Sequence, residues 1–228
     1  MYCPEPAYNI VRMSTSDQRP WDARLARCLV APLKDSWVSP NHLTTIRLAV
    51  GLAGALAFVP GTYAWSNLAA TLIVLSNFLD HTDGEFARLC GKTSRFGHLY
   101  DLASDAVITV LLFVAIDVGV DATADTGVSA PSVMLGALAG SAVALIFFLR
   151  MRIEEMAGKS ASRQASIAGF ETEDVLYLLP LVTAFDVVAP FLLVASIGAP
   201  VFAIWVIADY RRVKRGQAPV SQSPSGAT

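Results

Sequence analysis

Apolar stretches recur along this chain, and the breaks between them carry basic residues only in alternation. The stretches are Leu43–Val59, Trp65–Leu79, Ala106–Val118, Val133–Leu149, Val175–Phe185 and Val188–Ala208. A helix that spans a bilayer needs about 20 mostly apolar residues. Several of these runs are shorter. They reach spanning length only if the polar ends 80–88 and 101–105 continue the same helices. The expectation is an all-α integral membrane protein, a six-transmembrane-helix bundle whose fifth span is kinked at Pro180. Composition agrees. Only 16% of the 228 residues are charged, against roughly 25% in a typical soluble domain, and mean hydropathy is +0.51.

The charge pattern sets an orientation. Residues 60–64, 117–131 and 186–190 hold no Lys or Arg. Arg88, Lys92 and Arg95 lie between spans two and three, Arg150, Arg152, Lys159 and Arg163 between four and five, and Arg211, Arg212, Lys214 and Arg215 after the last. Lys and Arg mark cytoplasmic connections, so both termini and the 80–105 segment are expected on the cytoplasmic side of the inner membrane. The chain opens without an apolar leader region, which predicts no cleavable signal peptide. Cys3, Cys28 and Cys90 form no CxxC pair and read as reduced thiols. Four regions follow: an N-terminal cytoplasmic segment (1–20), an interfacial amphipathic helix (21–38), the six-helix domain (39–212) and a disordered tail (213–228). In the second, Trp21, Leu25, Leu29 and Leu33 share one helical face, away from Arg24 and Arg27.

Chemistry concentrates in DHTDGEFARLCGKTSRFGHLYDLASD, residues 80–105. Asp80 and Asp83 are three apart and share a helical face, as Asp101 and Asp105 do at a spacing of four. A turn near GKTSRFG would make the two helices antiparallel neighbours and bring the pairs together at the membrane surface. Clustered carboxylates repel, so a cation must compensate. Hard oxygen ligands suit Mg²⁺, Mn²⁺ or Ca²⁺. Two such ions can clamp a phosphoryl group between its attacking and leaving oxygens. Gly84 and Ala87 keep one face low for a phosphate or ribose, Arg88 supplies a cation for a pyrophosphate oxygen, and Gly97 lies one turn before Asp101. Each has a bland alternative: a helix-end charge, a positive-inside anchor, a packing glycine. Their joint occurrence at these spacings carries the functional reading.

The arrangement Asp80-xx-Asp83-Gly84-xx-Ala87-Arg88, eight residues, then Gly97-xxx-Asp101-xxx-Asp105 resembles the signature of the CDP-alcohol phosphatidyltransferase family at every defining position. The segment SPNHLTTIR before span one is similar too. The resemblance implies a six-helix membrane enzyme, usually a homodimer, with two divalent metal ions, Mg²⁺ or Mn²⁺. Such an enzyme transfers a substituted phosphoryl group from a CDP-alcohol to a second alcohol and releases CMP, in phospholipid biosynthesis. By position, Asp80, Asp83, Asp101 and Asp105 would hold the metals, and Asp105 would also take the acceptor hydroxyl's proton. Asp80, Gly84, Ala87, Arg88 and Gly97 would form the CDP site. The expected donor is CDP-diacylglycerol; the alternative is head-group transfer from CDP-choline, CDP-ethanolamine or a CDP-polyol. The partners expected are these two alcohols and membrane lipid, with no nucleic acid.

Acceptor choice lies outside the motif. Arg150, Arg152, Lys159 and Arg163 are candidate ligands for a phosphorylated acceptor, against plain positive-inside anchoring. Arg47, polar for its place in span one, can snorkel to the interface or reach the site, and the first is the reading preferred here. His81 and His98 read as bystanders of the aspartates. Gly136 and Gly140 form a GxxxG pair for close packing, within the subunit or at a dimer. Rival readings are an intramembrane prenyltransferase, which usually has a second Asp-rich motif, an ion transporter, which would carry its acids near the midplane, and a silent scaffold.

Overall fold

The computed structural model describes residues 39–91, 94–123, 133–157 and 176–216. They form six α-helices: α1 (Pro40–Phe58), α2 (Tyr63–Cys90), α3 (Arg95–Thr123), α4 (Met134–Ala157), α5 (Leu179–Ala184) and α6 (Val188–Lys214). Segments 1–38 and 217–228, with Lys92, Thr93, Lys159 and Arg163, lie outside the described residues. So does the expected interfacial helix over 21–38. The tail expected from 213 begins helical, since α6 continues through Lys214.

Both polar ends do extend their helices. α2 carries its apolar run straight through Asp80 and Asp83 to Cys90, and stops where Gly91 takes the left-handed conformation at φ 61°. Glycine adopts that conformation without steric cost and commonly closes a helix. α3 then starts afresh. The Ser94 hydroxyl accepts the Gly97 N–H at 2.9 Å, satisfying a donor that the first turn leaves open. The aspartates therefore sit within long, continuous helices.

Three helices are long and apolar enough to cross a membrane: Phe96–Thr123, Met134–Ala157 and Val188–Lys214. The expected six is thus reached only in part among the described residues. α2 has the length, 28 residues, but its charged last third dilutes its apolarity. The fifth span is represented by a turn of 3-10 helix at 176–178 and the six residues of α5. Pro180 lies in the first turn of α5 and does not kink a long described helix. There its missing N–H removes no bond.

α1 packs on α2 and α3, α3 on α4, and α4 on α6, while α5 rests on α2. Small residues set the distances. A Cβ on Gly51 of α1 would lie 2.7 Å from Ile108 of α3, and one on Gly54 3.0 Å from Ile73 of α2. In α4, a Cβ on Gly136 would strike the Phe113 carbonyl, and one on Gly140 would lie 2.9 Å from the Val110 Cα. The GxxxG pair therefore serves packing inside the subunit, against α3. Ala55, Phe58, Ala69, Ile73, Leu112 and Ile116 form the shared core. A second cluster joins Ile146, Leu149 and Ile153 of α4 to Ala203 and Val206 of α6. On the outer side of α6, Val194, Ile197, Val201 and Ile204 form an exposed apolar stripe at helical spacing, the surface that a lipid environment calls for.

Candidate active site

The site begins with the α2–α3 hairpin. Asp80 on α2 and Asp101 and Asp105 on α3 each bring one carboxylate oxygen to within 4.8 Å of the others. Their side chains are 27%, 36% and 43% exposed, so the cluster is open to an incoming ion or substrate. The donor set is three hard carboxylate oxygens. That set fits Mg²⁺ or Mn²⁺, which take oxygen ligands, and offers nothing to a thiolate metal.

Asp83 belongs to the same helical face but points elsewhere. It is buried, and its Oδ2 accepts a hydrogen bond from the Thr44 hydroxyl of α1 at 2.7 Å. Of the four aspartates, three converge and the fourth ties α2 to α1. Its second oxygen lies on the same carboxyl group, so this bond leaves it ligand capacity.

The centre of the cluster holds Arg47 of α1. Its side chain is 1% exposed. Nη1 donates to Asp101 Oδ1 at 3.0 Å and forms an ion pair with Asp80. Nη2 donates to Asp105 Oδ1 at 2.8 Å and to the Asp101 carbonyl at 3.3 Å. Of the two readings of Arg47, the preferred one, snorkelling to the interface, fails, and the other, reaching the site, holds. The helix stripe decides it. Thr44, Arg47, Gly51, Gly54 and Phe58 are all buried on one face of α1, and the glycines draw that face against α2 and α3. A side chain on that stripe meets carboxylates before it can reach water. The stripe was readable from Arg47-xxx-Gly51-xx-Gly54, although nothing in it names the carboxylates as partners. Ser76 locks the register by donating to the Arg47 carbonyl at 3.0 Å.

A cavity of about 400 Å³ opens from this cluster. Its polar lining is Arg47, Ser76, Asn77, Asp80, Asp105 and Thr109; the rest, with Ile73, Leu99, Leu102, Ile108, Phe147, Phe148 and Met151, is apolar. It runs between α3 and the C-terminal half of α4.

The remaining site candidates divide. Gly97 lies in the first turn of α3, where a Cβ would come within 3.1 Å of the Asn41 side chain of α1. Ala87 is half-buried on α2. Gly84 and Arg88 lie on the same helix, their surroundings outside the description. Arg150 has its guanidinium over the rings of Phe202 and Trp205, 5.7 and 5.4 Å from their centroids. Arg152 pairs with Glu155 at 2.6 Å. The structure therefore gives both basic residues partners on α4 and α6. The cavity wall receives Met151 from this turn. His98 reaches Glu155 at 3.5 Å, linking the start of α3 to the end of α4.

A sequence model of CDP-alcohol phosphatidyltransferases matches residues 37–209. The chain belongs to the CDP-alcohol phosphatidyltransferase family. Similarity to a phosphatidylinositol phosphate synthase of Streptomyces avermitilis is 40% identity over 77 residues, 33% of this chain. The match covers 30% of that relative's length. Family membership and the three apolar helices make the chain an integral membrane protein.

Proposed function

We propose that this family member transfers a substituted phosphoryl group from CDP-diacylglycerol to an acceptor alcohol and releases CMP. The observation that carries the reading is the three-carboxylate cluster opening into an apolar cavity. A lipid donor needs both, an anionic ion site for its pyrophosphate and apolar surface for what hangs from it. Head-group transfer from CDP-choline, CDP-ethanolamine or a CDP-polyol needs only the first on the donor side.

In this reading Asp80, Asp83, Asp101 and Asp105 would hold two divalent ions, Asp83 through the carboxylate it shares with Thr44, and the positive charge supplied there would neutralise the pyrophosphate and the departing CMP. Asp105 takes the proton of the acceptor hydroxyl. The hydroxyl oxygen bonds to the phosphorus that carries the diacylglycerol. The bond from that phosphorus to the bridging oxygen breaks, and its electron pair leaves with CMP. Arg88 supports the pyrophosphate, and Gly84, Ala87 and Gly97 leave the nucleotide room. The six-span arrangement, with the site on the cytoplasmic side, is part of this proposal. It is supported by the gathering of basic residues at the C-terminal ends of α4 and α6, which pack together. A homodimer belongs to it as well.

The acceptor is open to a direct test. Purified protein is given CDP-diacylglycerol, Mg²⁺ or Mn²⁺, and in turn inositol phosphate, inositol, glycerol phosphate and serine, with Asp105→Asn as control. Inositol phosphate comes first because of the relative's name. Expected is CMP release that depends on one acceptor and vanishes in the variant. Release only from CDP-choline, CDP-ethanolamine or a CDP-polyol would move the assignment to head-group transfer.

A further inference from the structure

Arg47 is a cation placed where the proposed function needs a different cation. Its two terminal nitrogens engage all three converging carboxylates. The distances to Asp101 Oδ1 and Asp105 Oδ1, 3.0 and 2.8 Å, are those of strong charge-assisted bonds. Mg²⁺ or Mn²⁺ on the same oxygens would stand about 2.1 Å from each. An ion there and a guanidinium held at its present distances would be two cations in contact. They cannot share these oxygens at full strength.

The charge count points the same way. Three carboxylates against one guanidinium leave two negative charges at a half-buried site. The arginine therefore lowers the mutual repulsion of the aspartates without cancelling it. It also has somewhere to go, because it lines the 400 Å³ cavity beside Asp80 and Asp105. Its backbone is held by Ser76, so a movement would fall on the long side chain and leave helix α1 in place. Finally, Nε is buried with no hydrogen-bond partner among the described residues. A buried donor of that kind is costly, so the present position does not satisfy the whole guanidinium.

We propose that Arg47 is a built-in exchangeable counter-cation: it holds Asp80, Asp101 and Asp105 together until a divalent ion binds, and is displaced by that ion into the adjoining cavity. The proposal rests on the metal-site reading above and adds the exchange. Metal binding is then a replacement of one cation by another, and the apparent metal affinity is the intrinsic affinity multiplied by the fraction of protein in which Arg47 has left the site. Arg47 is a positioning residue in this account, acting on the ligands and not on the reacting atoms.

The test is Mn²⁺ binding to detergent-purified protein without substrate, read by electron paramagnetic resonance of the free ion, for wild type, Arg47→Met and Arg47→Lys. The exchange predicts that the methionine variant binds Mn²⁺ about tenfold or more tighter than wild type, with the lysine variant in between. It also predicts that in EDTA the methionine variant melts below wild type, and that Mn²⁺ removes most of the difference. A methionine variant with equal or weaker Mn²⁺ affinity overturns the exchange while leaving the metal site standing. Mn²⁺ binding absent from wild type and both variants overturns the metal-site reading and the exchange with it. Should the methionine variant not fold, the wild type decides alone. Mg²⁺ titration of protein labelled with ¹⁵N-arginine should shift the Arg47 side-chain resonances, identified by their loss in Arg47→Lys. Resonances that stay in place at saturating Mg²⁺ contradict the exchange.

Discussion

Helix α3 carries acids at both ends, and the two ends use them differently. Asp101 and Asp105 sit at its start, partly exposed, facing Asp80 and sharing one arginine. Asp117 lies twelve residues beyond Asp105, about 18 Å along the axis. It is buried, and its Oδ2 accepts the backbone N–H of Gly136 at 2.8 Å. That amide belongs to the first turn of α4, where helices leave their N–H groups open. Asp117 is an acid spent on architecture. It anchors the start of α4 to α3, beside the close approach of Gly136 to Phe113. The other end gathers like charges that repel, an arrangement that stability alone does not select. An acid whose bonding is complete within the fold holds the fold, whereas a crowded, accessible group of them is left for a ligand.

Substitutions at the two ends should separate these roles. The largest effect is expected for Asp105→Asn, which keeps the shape and removes the proposed base: CMP release should fall about 10²- to 10⁴-fold, the usual contribution of a positioned base. Its melting temperature should stay within a few degrees of wild type, since the amide oxygen still accepts from Arg47 Nη2 and the weaker ion pair is offset by less repulsion among the remaining carboxylates. Loss of folding in this variant would make the cluster architectural, like Asp117. Next comes Gly136→Ala. Its Cβ would strike the Phe113 carbonyl, and overpacking of this kind costs about 1–3 kcal/mol, read as a lower unfolding midpoint in detergent. Asp117→Ala should cost about 1–3 kcal/mol, because it strands the buried Gly136 amide. The activity of each folded molecule should be preserved. A specific activity that collapses in Asp117→Ala would erase the distinction between the two ends. The smallest effect is expected for Thr44→Val, which removes one hydrogen bond to Asp83. It should lower stability by about 1 kcal/mol, and Thr44→Ser should restore it.

Much of this was legible in the chain. The Asp80/Asp83 and Asp101/Asp105 spacings with a glycine between required two helices meeting at a turn, and α2, Gly91 and α3 have that form. Two things were not legible, for one physical reason. Spacing tells which residues share a face and stays silent on what the face meets. Asp80 and Asp83 are only three apart, yet the offset of about 60° between them, three steps on a 3.6-residue turn, is enough to send one toward α3 and the other toward Thr44 of α1. Arg47 looked like an interface residue because its neighbours in sequence are apolar. Its neighbours in space are acids that lie 33, 54 and 58 positions away. The fifth span is described only from 176 onward, where a 3-10 turn precedes the short α5, which rests on α2; Val175 and the chain before it lie outside the described residues.

A divalent-metal site for phosphoryl transfer from CDP-diacylglycerol, proposed at Asp80, Asp101 and Asp105, is tested by CMP release from that donor by the purified protein, with a saturating acceptor, before and after EDTA and again after Mn²⁺ is restored. Release should stop with EDTA, return with Mn²⁺ and be missing throughout in Asp105→Asn; release that continues unchanged in EDTA and survives Asp105→Asn would remove the metal site.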